Sequence, residues 1–258
     1  MRFYRINSER GYLLNRILKI IGISSLALII LIGAVFFIYV SDYSKALPAV
    51  LKVMQSDTDV AVYNVGDLLV FEPSSGKMET GFIFYPGGKV DYRAYSSIMK
   101  ELARKGYLCI IAKMPFNLAV LAQNKADEAI SSFPKIRNWA IGGHSLGGVM
   151  ASSYALKHDS VIDAIIFYAS YPISDISKSG FQILTIHGTK DGLVTKEKFA
   201  GSIGLLPVNS TVKSIIGGNH ANFGVYGSQK GDNASDISGP DQRKIIIDTT
   251  AEFLKTVK

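Results

Sequence analysis

The chain has 258 residues, 48% of them apolar, enough to bury one sizeable core and pointing to one folded domain. Its net charge of +7 is concentrated at the N-terminus, where Arg2, Arg5, Arg10, Arg16 and Lys19 face Glu9 alone. Beyond them no Lys/Arg run with interleaved aromatics occurs, which argues against a nucleic-acid partner, and the one cysteine, Cys109, excludes an intrachain disulfide and reads as a buried strand residue.

Residues 1–19 form the basic segment, and residues 20–41 carry no charged side chain. At about 1.5 Å per residue that run spans roughly the 30 Å hydrocarbon layer, so 20–41 is predicted to be a transmembrane anchor. A cleavable signal peptide is the competing reading. Its apolar core is ordinarily about 7 to 15 residues, followed by a small-x-small site that Ser44-Lys45-Ala46 matches poorly. A buried soluble helix fits less well still, because the segment is apolar on every side. The positive-inside rule keeps the basic N-terminus cytoplasmic, since Asp42 and Lys45 cancel on the far side. The expectation is a single-pass protein of the cell membrane with its domain extracytoplasmic. An outer domain without disulfides suits a bacterial surface.

Residues 42–57 read as a connector, with a short amphipathic helix over 46–54, and 58–258 as the folded domain. Residues 60–63 and 68–71 alternate as a hairpin around Asn64-Val65-Gly66-Asp67 and are expected to be edge strands. From Gly81 the pattern becomes strand, turn, helix, repeated. Strands are predicted at 82–85, 107–112, 137–142, 162–169, 181–187 and 211–216, and helices at 92–105, 118–131, 146–158, 196–202 and 242–257. This alternation predicts an α/β fold, a mostly parallel central sheet with helices on both faces. Residues 222–240, rich in Gly, Ser, Asn and Asp, read as one long loop.

The strand at 137–142 runs into Gly142-Gly143-His144-Ser145-Leu146-Gly147-Gly148, a serine inside G-x-S-x-G with a helix behind it. That is the pattern of a nucleophile elbow, in which a sharp strand-to-helix turn needs nearly side-chain-free residues at Gly143 and Gly147. A serine hydroxyl is a weak nucleophile and needs a base. Of the four histidines, His144 adjoins the serine and points elsewhere, His158 ends a surface helix, and His187 closes a strand as a structural residue. His220 follows the last strand in Gly217-Gly218-Asn219-His220, where a loop at the carboxyl edge of the sheet can bring imidazole over the serine. The orienting carboxylate is read as Asp191 in Gly188-Thr189-Lys190-Asp191-Gly192, with Asp175 as the alternative. Oxyanion donors are expected from the Leu146 N–H and from the loop Pro86-Gly87-Gly88-Lys89, where Gly88 is preferred to Gly87 and Pro86 has no N–H to give.

On these motifs the chain resembles the α/β-hydrolase fold family, specifically its small single-domain bacterial members with a GHSLGG elbow, from about Val60 to the C-terminus. The resemblance implies a Ser-Asp-His triad on Ser145, Asp191 and His220, with no metal or organic cofactor. In one departure, Pro86 stands where many lipases of the family have histidine before the glycines.

The expected reaction is hydrolysis of a carboxylic ester through an acyl-enzyme, on a small-molecule or lipid ester, since no block of sequence is long enough for a large lid. Two rivals share the same residues. One is an acyltransferase in which an alcohol or amine replaces water, and the other a membrane-anchored binding protein on a hydrolase scaffold.

Overall fold

In the computed structural model, which describes residues 2–76 and 78–258, the chain divides into two units, Met1–Asp42 and Tyr43–Lys258. The first is helix α1 (Arg2–Ser41), whose stretch Asn15–Ser41 has a mean hydropathy of 2.7 and is long and apolar enough to cross a membrane. Ile23, Ile29, Phe37 and Ile38 on it are all exposed, an arrangement that suits hydrocarbon rather than water. Arg2, Arg5 and Arg10, which contribute to the expected topology, lie outside the residues whose side chains are described.

The second unit is built on strands β1 (Val60–Val65), β2 (Leu68–Pro73), β3 (Thr80–Tyr85), β4 (Leu108–Ala112), β5 (Asn138–His144), β6 (Ala164–Tyr168), β7 (Gln182–Gly188) and β8 (Thr211–Ile215). Among the described residues they form one eight-stranded sheet in the order β1-β2-β4-β3-β5-β6-β7-β8. β1 and β2 are antiparallel, β2 is antiparallel to β4, and every later pair is parallel. The hairpin turns at Gly66-Asp67, with Gly66 at φ 53°, a left-handed position that glycine takes without strain.

β3, β4 and β6 are buried at every position, as parallel strands covered on both faces must be. Alternate residues serve two separate cores. Phe82, Phe84, Cys109 and Ile111 face helices α3 (Ser96–Arg104) and α7 (Gly239–Leu254). Ile83, Tyr85, Ile110 and Ile141 face α4 (Ala126–Ser132) and α5 (Leu146–Ala155). Each such side chain contributes roughly 1.5–3 kcal/mol by leaving water. Two short helices complete the unit, α2 (Val50–Val53) before β1 and α6 (Lys196–Ile203) before β8.

Three expectations change. The helix expected at 118–131 is two 3-10 turns, 119–121 and 123–125, followed by α4 alone, because Phe116 and Asn117 just before it take left-handed φ while Leu118 and Ala122 sit at φ −125° and −148°. β2 is an interior strand rather than an edge, since it pairs with β4 as well as β1. The helix expected at 46–54 shrinks to the four residues of α2; just before it, Ser44 bridges Val90 and Leu47 N–H donates to Val225 O at 2.9 Å.

β3 is followed along the chain by β4 on one side and, after it, by β5 on the other. The carboxyl ends of β3 and β5 therefore form a topological switch point, the usual crevice for a ligand in an open parallel sheet.

Candidate active site

Ser145 stands at that crevice, between β5 and α5, with φ 52° and ψ −124°. The sharp turn leaves no room for neighbouring side chains. A Cβ on Gly147 would lie 2.1 Å from Tyr85 O, and one on Gly143 would lie 2.5 Å from both Tyr85 O and the carbonyl carbon of Gly147. Gly148 is equally constrained, because its Cβ would meet Ser170 Oγ at 2.5 Å, a requirement outside the five-residue pattern. The strained serine is held by its own N–H, which donates to Tyr168 O at 3.0 Å, and by Ser170 Oγ, which donates to Ser145 O at 2.7 Å.

Strain is concentrated at this edge. Every non-glycine residue with left-handed φ among the described residues follows β3 (Lys89), β4 (Phe116, Asn117), β5 (Ser145) or β6 (Ala169). Such conformations cost about 1–3 kcal/mol each and persist where the surroundings over-determine them, which is typical of functional sites.

His220 and Asp191 meet here. His220 Nδ1 lies 2.8 Å from Asp191 Oδ2, and both side chains are almost wholly buried. A carboxylate only accepts, so Nδ1 carries the proton and Nε2 presents its lone pair. Asp191 is fixed in turn by the Leu193 and Val194 N–H groups, which donate to its Oδ1 at 2.8 and 2.7 Å. The ring of His220 lies 4.4 Å, centroid to centroid, from that of His144, the residue before the serine. His220 Nε2 is buried and makes no hydrogen bond among the described residues.

The remaining histidines and the alternative acid fall elsewhere. His158 stacks on Tyr154 at 3.9 Å and its Nδ1–H donates to Tyr154 O at 2.9 Å; His187 stacks on Phe199 at 3.6 Å. Asp175 is exposed and accepts the Ser177 N–H at 2.8 Å.

His144 is fully buried, and burial, with the His220 ring as a second cause, holds its pKa well below the ordinary imidazole value. It is therefore neutral. Tyr95 Oη accepts the Gly87 N–H at 3.1 Å and lies 2.9 Å from His144 Nδ1, so its one proton goes to that nitrogen. This wire ties the loop after β3 to the elbow and occupies Gly87. The N–H groups of Gly88 and Leu146 have no acceptor among the described residues, and a Cβ on Gly88 would lie 2.9 Å from Leu146 Cδ2. The loop of Gly88 thus packs directly on the Leu146 side chain. Sequence spacing gave no sign of Tyr95 or Ser170, whose roles depend on contacts across 49 and 25 positions.

Beside Ser145 a pocket of about 190 Å³ is lined by Leu146, Val149, Ala169, Tyr171, Leu193 and Val194. Larger hollows of about 440 and 550 Å³, near Phe181 and near Arg243, include none of Ser145, Asp191 or His220. No group of three or more His, Cys, Asp or Glu suited to a metal ion occurs among the described residues.

Comparison with solved structures finds the same fold at low identity. Est1E from Butyrivibrio proteoclasticus is 14% identical, with a TM-score of 0.57 over 77% of this chain and 100% of that one. TT1662 from Thermus thermophilus is 12% identical, with a TM-score of 0.56 over 76% and 99%. ATU1826 from Agrobacterium tumefaciens is 13% identical, with a TM-score of 0.56 over 77% and 99%. Among curated protein sequences, none matches significantly. The family model described as the alpha/beta hydrolase family matches residues 81–244, more than half of the chain and the whole stretch from β3 into α7. With the sheet order, the elbow and that match in agreement, the chain belongs to the alpha/beta hydrolase family.

Proposed function

We propose that the protein is a serine hydrolase that cleaves carboxylic esters of short acyl chain through Ser145, His220 and Asp191. The observation that carries this reading is the buried 2.8 Å contact of His220 Nδ1 with Asp191 Oδ2, beside an elbow serine in a strained conformation. Ser145 Oγ attacks the ester carbonyl carbon while His220 Nε2 takes its proton, and the imidazolium then protonates the departing alcohol. Water, deprotonated by the same nitrogen, attacks the acyl-enzyme and releases the acid and the free serine. Asp191 holds the tautomer and offsets the charge on His220. Because burial keeps His144 neutral, the imidazolium does not face a second cation 4.4 Å away.

The oxyanion of each tetrahedral intermediate is received by the Gly88 and Leu146 N–H groups, a contribution worth on the order of a hundredfold or more per donor. The pocket of about 190 Å³ is below the roughly 300–1000 Å³ usual for drug-sized ligands, which favours a short acyl group. We place the enzyme at the cell membrane as a single-pass protein, held by Asn15–Ser41 with its N-terminus cytoplasmic.

The test is hydrolysis of p-nitrophenyl acetate by wild type and Ser145→Ala. The variant is expected to keep the fold and lose nearly all activity, and a variant that retained activity would remove Ser145 from the mechanism.

A further inference from the structure

The long loop before α7 meets the loops after β7 and β8 at several points, among them Ser235 Oγ to Gly217 O and Asn219 Nδ2 to Asn233 O, but one of its side chains engages both loops beside Asp191 and His220. Asp232 Oδ1 accepts the Gly192 N–H at 3.0 Å, the His220 N–H at 3.2 Å and the Asn233 N–H at 2.9 Å, and Oδ2 accepts the Ala221 N–H at 2.8 Å. Gly192 directly follows Asp191. One carboxylate therefore grips the backbone beside the acid and the backbone of the base itself. The fit is close, since a Cβ on Gly192 would stand 2.5 Å from Gly231 O and 3.0 Å from Asp232 Cα.

Other ties between the two loops lie earlier along both. Lys190 N–H donates to Gly218 O at 2.8 Å, and Gly217 N–H donates to Thr189 Oγ1 at 2.9 Å. They fix the approach to Asp191 and His220, and Gln242 holds Asn219 by accepting its N–H at 3.0 Å and donating to its carbonyl at 2.7 Å, while Asp232 takes the backbone N–H groups of Gly192, His220 and Ala221. Bonds from N–H groups to a carboxylate are roughly twice as strong as neutral ones, which suits a clamp between two loops.

We infer that Asp232 is a positioning residue: its carboxylate sets the spacing of the Asp191 and His220 loops and thereby aims His220 Nε2 at Ser145 Oγ. The inference rests on the reading of Ser145, His220 and Asp191 as the catalytic triad. Misplacing a reacting group by about 1 Å costs on the order of a hundredfold in rate. Asp232 does not line the pocket beside Ser145, so substrate binding is left alone.

The experiment uses the full-length protein in detergent with p-nitrophenyl acetate, comparing wild type with Asp232→Asn, Asp175→Asn, Ser145→Ala and Asp191→Asn. Asn keeps one acceptor oxygen and turns an NH₂ toward backbone N–H groups. Asp232→Asn is expected to lower kcat about ten- to a hundredfold with KM within about twofold, and to shift the low-field proton resonance of His220 Nδ1–H. Asp175→Asn is expected to match wild type. A kcat within about twofold of wild type, a fall in kcat matched by a rise in KM, or an unmoved His220 resonance would overturn the inference. Should Asp232→Asn not fold, Asp232→Glu carries the same test with the same readings, because it keeps the charge but displaces the carboxylate by about 1.5 Å. Activity retained in Ser145→Ala and Asp191→Asn would sink the triad reading, whereas their inactivity beside a wild-type Asp232→Asn would sink the positioning role alone.

Discussion

At Ser145 the backbone sits in a conformation that costs about 1–3 kcal/mol for any residue with a Cβ, and its neighbours supply what keeps it there. Tyr95 is the neighbour with the most testable role. Tyr95→Phe removes the acceptor of the Gly87 N–H and the donor to His144 Nδ1, leaving two buried groups unpaired at about 1–3 kcal/mol each. The expected outcome is a stability loss of about 2–5 kcal/mol in urea unfolding, with a several-fold lower kcat as the Gly88 loop loosens. Unchanged stability would mean that the wire is absent. The elbow glycines and His220 were legible in the sequence because steric exclusion and chain order act locally. Tyr95, Ser170 and Asp232 were not, because a tyrosine, a serine and a loop aspartate carry no pattern until the fold brings the first two to the elbow and the third to the backbone of Gly192 and His220.

The elements were legible where burial imposes a period. β3, β4 and β6 are covered on both faces and show as unbroken apolar runs, whereas the stretch after β4 is apolar without being helical. Its path is set by Phe116 and Asn117, and Lys89 N–H donates to Asn117 O at 2.8 Å, so this stretch braces the loop of the expected oxyanion donors. At the end of that loop Asp91 pairs with Arg93, whose Nε donates to it at 2.9 Å. Burial works against this carboxylate, but hydrogen bonds from the Arg93 side chain and backbone outweigh it and hold its pKa below the ordinary value. A depressed carboxylate pKa contributes stability that is complete above the unfolded value of about 3.9 and is lost as pH falls through the folded one. The urea midpoint is therefore expected to fall below about pH 4, and less steeply in Asp91→Asn. Equal slopes in the two proteins would show that Asp91 makes no contribution.

As a whole molecule the chain couples a helix able to span a membrane with a hydrolase unit that begins at Tyr43. The apolar stretch was plain in the sequence as 20–41, although the helix itself begins at Arg2 and takes in the basic segment, and the charge asymmetry around the stretch sets the expected orientation. Protease added to intact cells is expected to digest the 43–258 unit while an epitope placed before Arg2 survives. Full protection of the unit would reverse the orientation. The pocket beside Ser145 is small, so rates on p-nitrophenyl esters are expected to fall steeply once the acyl chain outgrows it. Sequence could not supply that limit, because Val149, Ala169, Tyr171 and Leu193 converge from three separate connections.

A fluorophosphonate probe tests the activated serine most directly, since its phosphorus is attacked by a serine that has a working base and oxyanion site, the P–F bond breaks, and a stable serine phosphonate remains. Full-length protein in detergent is treated with the probe and digested, and the adduct is located by mass spectrometry with Ser145→Ala alongside. One adduct is expected, on Ser145, absent from the variant. A folded protein that stays unlabelled, or that is labelled at another serine, would contradict the assignment of Ser145 as the nucleophile.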